Sequence, residues 1–242
     1  MIGPIVLGTM RLPEAPDGAP LAAFLTDLAD LGIDTHHSSS EYDTYDRYRS
    51  ALALAKADGV RFRHVVKIAE PSWGDTSFDT ARFRRRIQAE CDSLGVDHVD
   101  AVQWLIRTSD PGDVAGTVAV FRNDGDAVAE CFASLIDEGL VGRFFGFPYT
   151  SETAAELSAM VDGAAPFDGF TLYLNPVETQ WCALADRSTT LAIRPFAGGE
   201  IAPDERRQAL RYALDHKGVE GVIVSLSSRA HAHEVLAWAD RS

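Results

Sequence analysis

The sequence predicts an α/β protein, a single (β/α)8 TIM barrel with short loops spanning residues 1–242, and three observations carry that expectation. Short β-branched runs alternate with longer amphipathic segments along the chain. The strand candidates number eight, the number that closes a parallel barrel. The length, 242 residues, matches one such barrel and allows a sizeable core. An open doubly wound sheet is the competing architecture, but no GxGxxG follows the first strand.

The first strand is Ile5–Gly8, and a helix follows over 20–31. The second strand covers 32–36, and the helix after it, 45–57, puts Tyr45 and Tyr48 on one packing face. The third strand, 64–68, leads to a helix over 79–94 whose apolar positions are Phe83, Ile87, Cys91 and Leu94. The fourth strand, 99–105, is followed by a loop over 110–125 and a helix over 124–138. The fifth strand, 143–147, precedes a helix over 151–161 and a loop at 163–166. The sixth strand, 169–174, is followed by a short helical turn within 176–187. The seventh strand, 191–194, leads to a helix over 204–216, started by Pro203, Asp204 and Glu205 and stopped by Lys217-Gly218. The eighth strand, 221–224, precedes the last helix, 229–240.

Composition limits the partners. Net charge is 22 minus 36, or −14, so nucleic acid and anionic membrane surfaces are repelled. The basic group Arg82, Arg84, Arg85 and Arg86 reads as a solvated helix face. Cys91, Cys131 and Cys182 lie far apart without a CxxC pair, as expected of thiols in a reducing cytoplasm. The start, MIGPIVLGTM, has neither a basic region nor a long apolar run, so no signal peptide is expected. No apolar run reaches membrane-spanning length. The expected localisation is cytoplasmic and the expected partner is a small molecule.

In such barrels function collects at the carboxyl ends of the strands. Lys67 ends an apolar strand, so it must be paired or have a shifted pKa. Tyr42, in the loop after strand two, is placed to share a proton with it. His36 and His37 are adjacent, so alternation points one inward and one outward. No third ligand stands at useful spacing, and no metal site is expected. Arg107 and Arg194 are candidates to hold a carboxylate or phosphate. Trp104 and Tyr149 are substrate-side candidates, with core packing the alternative for Trp104. Trp73 and Trp181 read as packing residues.

These strand ends resemble the aldo-keto reductases. Leu7-Gly8-Thr9-Met10 looks like the family's opening strand, and Lys67 like its catalytic lysine. The run from Gly32 to Tyr42 is similar to the segment in which an aspartate precedes the catalytic tyrosine by five positions. Leu94-Gly95-Val96-Asp97-His98-Val99-Asp100 is similar to its L-x-x-D-Y-V-D run. Ile193-Arg194-Pro195-Phe196-Ala197-Gly198-Gly199 is similar to the turn that meets the cofactor pyrophosphate, and Ile223 to His231 to the region near the adenosine phosphate. The resemblance implies NADP(H), carbonyl or alcohol oxidoreduction, and cofactor contacts from Gly8, Thr9, Arg194, Phe196, Ser225, Ser227 and Arg229.

The departures are specific. The family's tyrosine is assisted by a lysine, an aspartate and a histidine; here His37 holds the aspartate position and Leu105 the histidine position. A histidine supplies no fixed negative charge, and Glu70 is the acidic residue nearest Lys67 considered as a substitute. Phe147-Pro148-Tyr149 replaces the carboxamide-binding pair after strand five, and Thr171 replaces a glutamine on strand six. Three functions therefore remain open. The first is an NADP(H)-linked reductase in which Tyr42 donates the proton and Lys67 lowers its pKa. The second is a cofactor-independent lyase, dehydratase, isomerase or cyclase using His37, Tyr42 and Lys67. The third is a non-catalytic binding protein on the same barrel.

Overall fold

A computed structural model describes residues 2–14, 18–72, 75, 77–105, 107, 114–148 and 166–240. Eight parallel strands close into a barrel in sequence order, β8 pairing back onto β1. They are β1 (Ile5–Gly8), β2 (Thr35–Ser38), β3 (Arg63–Ala69), β4 (Ala101–Leu105), β5 (Phe144–Phe147), β6 (Gly169–Tyr173), β7 (Thr190–Ile193) and β8 (Val219–Val224). The helices are α1 (Gly18–Asp30), α2 (Tyr45–Ala57), α3 (Thr80–Leu94), α4 (Val114–Asp137), the short α5 (Cys182–Ala185), α6 (Arg206–Asp215) and α7 (Arg229–Ala239). Among the described residues no helix is long and apolar enough to cross a membrane. Nor, among them, do three or more His, Cys, Asp or Glu side chains group as a metal site.

Two boundaries differ instructively from the sequence expectation. The second strand starts at Thr35, not at residue 32. Gly32 (φ 84°) still belongs to the exit of α1, where its N–H donates to the Ala29 carbonyl and that of Ile33 to Leu28. Helix α4 begins at Val114, inside the segment expected to be a loop. Glycines 116 and 125 disfavour a helix there, but Val118, Val120 and Val128 are buried on the barrel, and that burial outweighs propensity. The helix expected over 151–161 lies outside the described residues.

Alternation along each strand sorts side chains into two compartments. Facing outward, Phe144 stacks on Phe132 of α4 with centroids 3.8 Å apart, and Trp104 meets Phe132 edge-on at 5.2 Å. Fully burying such a ring stabilises the fold by roughly 2–3 kcal/mol. Facing inward, Val6, Val65, Ala101, Phe145, Leu191 and Ile223 form one apolar layer. Ala69, Leu105 and Phe147, with Tyr173 and Ile193, form another nearer the carboxyl ends. By the same alternation the inward positions between these layers go to His37, Lys67, Gln103 and Thr171.

The arginine group of α3 is not a simple solvated face. Arg82 and Arg86 both pair with Glu70, whose carboxylate is fully buried, and Arg84 pairs with Glu138 of the segment after α4. These pairs pin α3 to the end of β3 and to its neighbouring helix.

Candidate active site at the carboxyl ends of the strands

The loop after β2 is built by its own polar groups. Ser39 Oγ accepts from the Glu41 N–H at 3.3 Å, and the Ser39 carbonyl accepts from the Tyr42 N–H at 3.1 Å. Thr44 Oγ1 then donates to the Thr9 carbonyl at 2.6 Å, tying the start of α2 to the end of β1. The turn leaves Glu41 and Tyr42 beside the end of β3.

The two adjacent histidines separate as alternation requires. His36 points outward, where Nδ1 lies 3.0 Å from the Tyr48 hydroxyl. His37 points inward, and its Nε2 lies 2.5 Å from Gln103 Oε1 across the barrel. With an amide oxygen facing it, Nε2 carries the hydrogen and Nδ1 keeps the lone pair. Burial drives the His37 pKa down to about 4, against the Gln103 bond and with help from the charge of Lys67. The ring is therefore neutral near pH 7.

Lys67 Nζ lies 4.7 Å from the centroid of the Tyr42 ring, over its face, and 3.0 Å from Glu41 Oε2. Arg107 clamps the same carboxylate, with Nη2 at 2.7 Å from Glu41 Oε2 and Nη1 on Oε1. Burial works to raise the Glu41 pKa, but the bonds from Arg107 and Lys67 hold it down at about 2. Among the described residues no hydrogen bond joins Lys67 to the Tyr42 oxygen. The expected lowering of the Tyr42 pKa by Lys67 is outweighed by other influences on the phenol. The phenol is pushed upward, by burial first and then by Glu41 and Tyr173, with Arg107 opposing. Tyr42 holds its proton tightly.

The acidic partner of Lys67 is thus Glu41, which sequence reasoning passed over, and not Glu70. The available signal was the Glu-Tyr pair itself, since a residue next to Tyr42 in a tight turn stays at the barrel mouth. Gln103 was also missed; its signal was an amide on the inward positions of an otherwise apolar strand.

The remaining candidates fall in three groups. Trp104 is fully buried and outward-facing, with Nε1 donating to the Glu70 carbonyl at 2.6 Å, so its assignment to substrate is corrected to core packing. Tyr149 and Trp73 lie outside the described residues, and Trp181 is buried as expected. On the cofactor side, Gly8 ends β1 where an added Cβ would sit 3.1 Å from Ile223 Cγ2. Thr9 is fully buried, and its hydroxyl has no partner among the described residues.

After β7 the backbone turns sharply. Arg194 (φ 55°) and Ala197 (φ 48°) are left-handed, as are Gly198 and Gly199. The Arg194 guanidinium covers the Tyr173 ring at 4.9 Å. Phe196 packs on Ala197, Ile201 and Ala209 beneath the Arg206 guanidinium. After β8, Ser225 is exposed, and Ser227 Oγ lies 3.2 Å from His231 Nδ1. The capping serine of α7 is Ser228, whose hydroxyl accepts from the His231 N–H at 3.1 Å. Arg229 is paired with Asp27 of α1.

No family model and no curated protein matches the chain. Solved structures do. Two from Pseudomonas aeruginosa, provisionally assigned as aldo-keto reductases, superpose with TM-scores of 0.72 and 0.71 at 22% and 23% identity. They cover 98% of this chain and 90% and 89% of theirs. The holo form of an aldo-keto reductase from Bacillus halodurans superposes with a TM-score of 0.68 at 16% identity, covering 98% of this chain and 87% of that one. Over nearly its whole length the chain shares the (β/α)8 fold of these solved structures.

Proposed function

We propose that the chain is an aldo-keto-reductase-type oxidoreductase acting on a small-molecule carbonyl or alcohol with NADP(H) and altered acid–base residues. The observation that carries this reading is the convergence of Tyr42, Lys67 and His37 at the barrel mouth, with Lys67 over the phenol ring. The turn after β7 supports a place for the phosphate end of the dinucleotide, although Arg194 faces Glu178 and Arg229 faces Asp27. The left-handed turn from Arg194 to Gly199 presents backbone, and an added Cβ at Gly199 would meet nothing within 4 Å. Arg194, Phe196, Ser225, Ser227 and Arg229 would hold that end, with Gly8 and Thr9 at the first strand. The ring end would rest on the apolar floor of Leu105, Phe147 and Ile193.

When bound, the cofactor supplies or receives the hydride. The chain's own residues manage the proton. Tyr42 donates from its hydroxyl to a substrate carbonyl oxygen, and its raised pKa keeps the proton in place until that oxygen becomes basic. His37, neutral and held by Gln103, offers Nδ1 as an acceptor beside the phenol. The test is titration with NADPH followed by nucleotide fluorescence, then turnover of 4-nitrobenzaldehyde. Micromolar binding, and loss of turnover in Tyr42→Phe, is the expected result. Absence of binding at millimolar NADPH refutes the reading.

One observation favours a second reading, cofactor-independent proton transfer by His37, Tyr42 and Lys67. Phe147 and Leu105 present no polar group to a carboxamide, and Thr171 Oγ1 is buried without a partner among the described residues. Product formation by nucleotide-free protein distinguishes the two.

A further inference from the structure

We propose that Glu41 is the positioning residue of this site: by binding Lys67 and Arg107 at once, it parks the ammonium over the face of the Tyr42 ring. This rests on the reading of Tyr42 and Lys67 as the reacting pair, but its test needs neither cofactor nor substrate.

The geometry is a two-cation clamp on one carboxylate. Glu41 Oε2 takes Lys67 Nζ at 3.0 Å and Arg107 Nη2 at 2.7 Å, while Oε1 takes Arg107 Nη1. The three residues come from different places: Glu41 from the loop after β2, Lys67 from β3 and Arg107 from the segment after β4. The clamp therefore ties three neighbouring strand ends together. A planar guanidinium fixes a carboxylate bidentately, so Arg107 orients Glu41, and Glu41 in turn orients the flexible lysine. The lysine and phenol side chains are at the mouth in any rotamer, but the ion pair selects the one with the ammonium at the ring face.

Two consequences separate this role from a merely structural one. First, Lys67 is shielded from electrophiles while paired. Second, Glu41 sets its negative charge beside the phenol and disfavours phenolate. The chain has only three lysines, Lys56, Lys67 and Lys217, so amine labelling is site-resolved by mass spectrometry. Lys56 donates to the Leu94 and Gly95 carbonyls and Lys217 is exposed, so both are internal controls. Lys67 and Glu41 line a cavity of about 250 Å³ beside α3, which gives a small acylating reagent a path to the amine.

The experiment labels the full chain with acetic anhydride at limiting reagent, comparing the unaltered sequence with Glu41→Gln. Lys67 should react several-fold faster in the variant, while Lys56 and Lys217 hold their rates. Absorbance at 295 nm supplies the second readout. The Tyr42 phenolate signal, identified by its loss in Tyr42→Phe, should begin at lower pH in Glu41→Gln. An unchanged Lys67 rate, or equal acceleration of Lys56 and Lys67, overturns the proposal. Labelling the unaltered chain in low and high salt gives a measurement free of any mutation: Glu41 is 41% exposed and Lys67 15%, so screening from the Glu41 side should speed Lys67 modestly and selectively, and a salt effect equal at all three lysines counts against the clamp. Failure of NADPH to bind leaves these outcomes untouched.

Discussion

Acidification from pH 7 to pH 4 should destabilise this barrel through its buried histidines. His64 is 1% exposed and His37 5% exposed, and the pKa of each is lowered from 6.5 to about 4. Burial is the leading cause for both. At His64 Asp100 opposes the shift, and Lys56 and His98 reinforce it; at His37 the Gln103 bond opposes and Lys67 reinforces. A pKa lowered by folding means that the unfolded chain binds more protons between the two values. Stability is therefore complete above about 6.5 and is lost as pH falls toward 4, after which these groups add no further loss. Each contributes about 3 kcal/mol over that window, and in its middle the two give a slope of roughly 2.7 kcal/mol per pH unit. His36, fully buried against Tyr48 and His64, adds in the same direction. That total rivals the stability of a whole domain, about 5–15 kcal/mol. Urea unfolding followed by circular dichroism at steps from pH 7.5 to 4 reads the slope directly. His64→Leu supplies the control: neither ring nitrogen of His64 has a partner among the described residues, so the substitution breaks no side-chain hydrogen bond. It should keep or raise stability at pH 7 and remove about half of the two-histidine slope. Stability that is flat between pH 6.5 and 4.5, or a His64→Leu variant with the full slope, refutes the reasoning.

Arg82→Ala should cost about 3 kcal/mol in urea unfolding, because it strips the fully buried Glu70 carboxylate of a bidentate partner; a loss under about 1 kcal/mol contradicts this. Ser228→Ala should cost about 1 kcal/mol by removing the cap of α7, whereas Ser227→Ala, which is not the cap, should cost about half as much or less by the same measurement. Gly218→Ala should cost about 3 kcal/mol or fail to fold, since its Cβ would stand 2.0 Å from the Ser188 carbonyl oxygen and 2.2 Å from that of Ala185; thermal unfolding within a degree or two of the unaltered chain refutes that packing.

The barrel was legible because alternation and periodicity act locally. Helix α2 occupies the span its pattern predicts, and Tyr45 and Tyr48 are buried together as their spacing requires. The start of α4 was hidden because glycine and asparagine argue against a helix, while the burial that overrides them is tertiary. At the site, strand-end position singled out Tyr42, Lys67 and His37. What sequence distance cannot give is which partner each side chain chooses. Glu70 lies three residues beyond Lys67, yet it turns to α3 and is consumed by Arg82 and Arg86. Glu41 is far from Lys67 along the chain and touches it, because β2 and β3 pair side by side.

Strand β2 reads Thr35-His36-His37-Ser38, and all four residues are buried. Most strands hold their pairing through an apolar face that cannot be turned to the wrong side. β2 has no such face, and a slip by one residue would exchange one imidazole for another at nearly the same cost in hydrophobic burial. Its alignment must instead be enforced by directional bonds: the Thr9 N–H on the His37 carbonyl, Tyr48 on His36 and Gln103 on His37. A mutation that removes Tyr48 or Gln103 would then do more than loosen one contact. It would weaken the choice between two threadings of the strand that leads into the Glu41-Tyr42 turn.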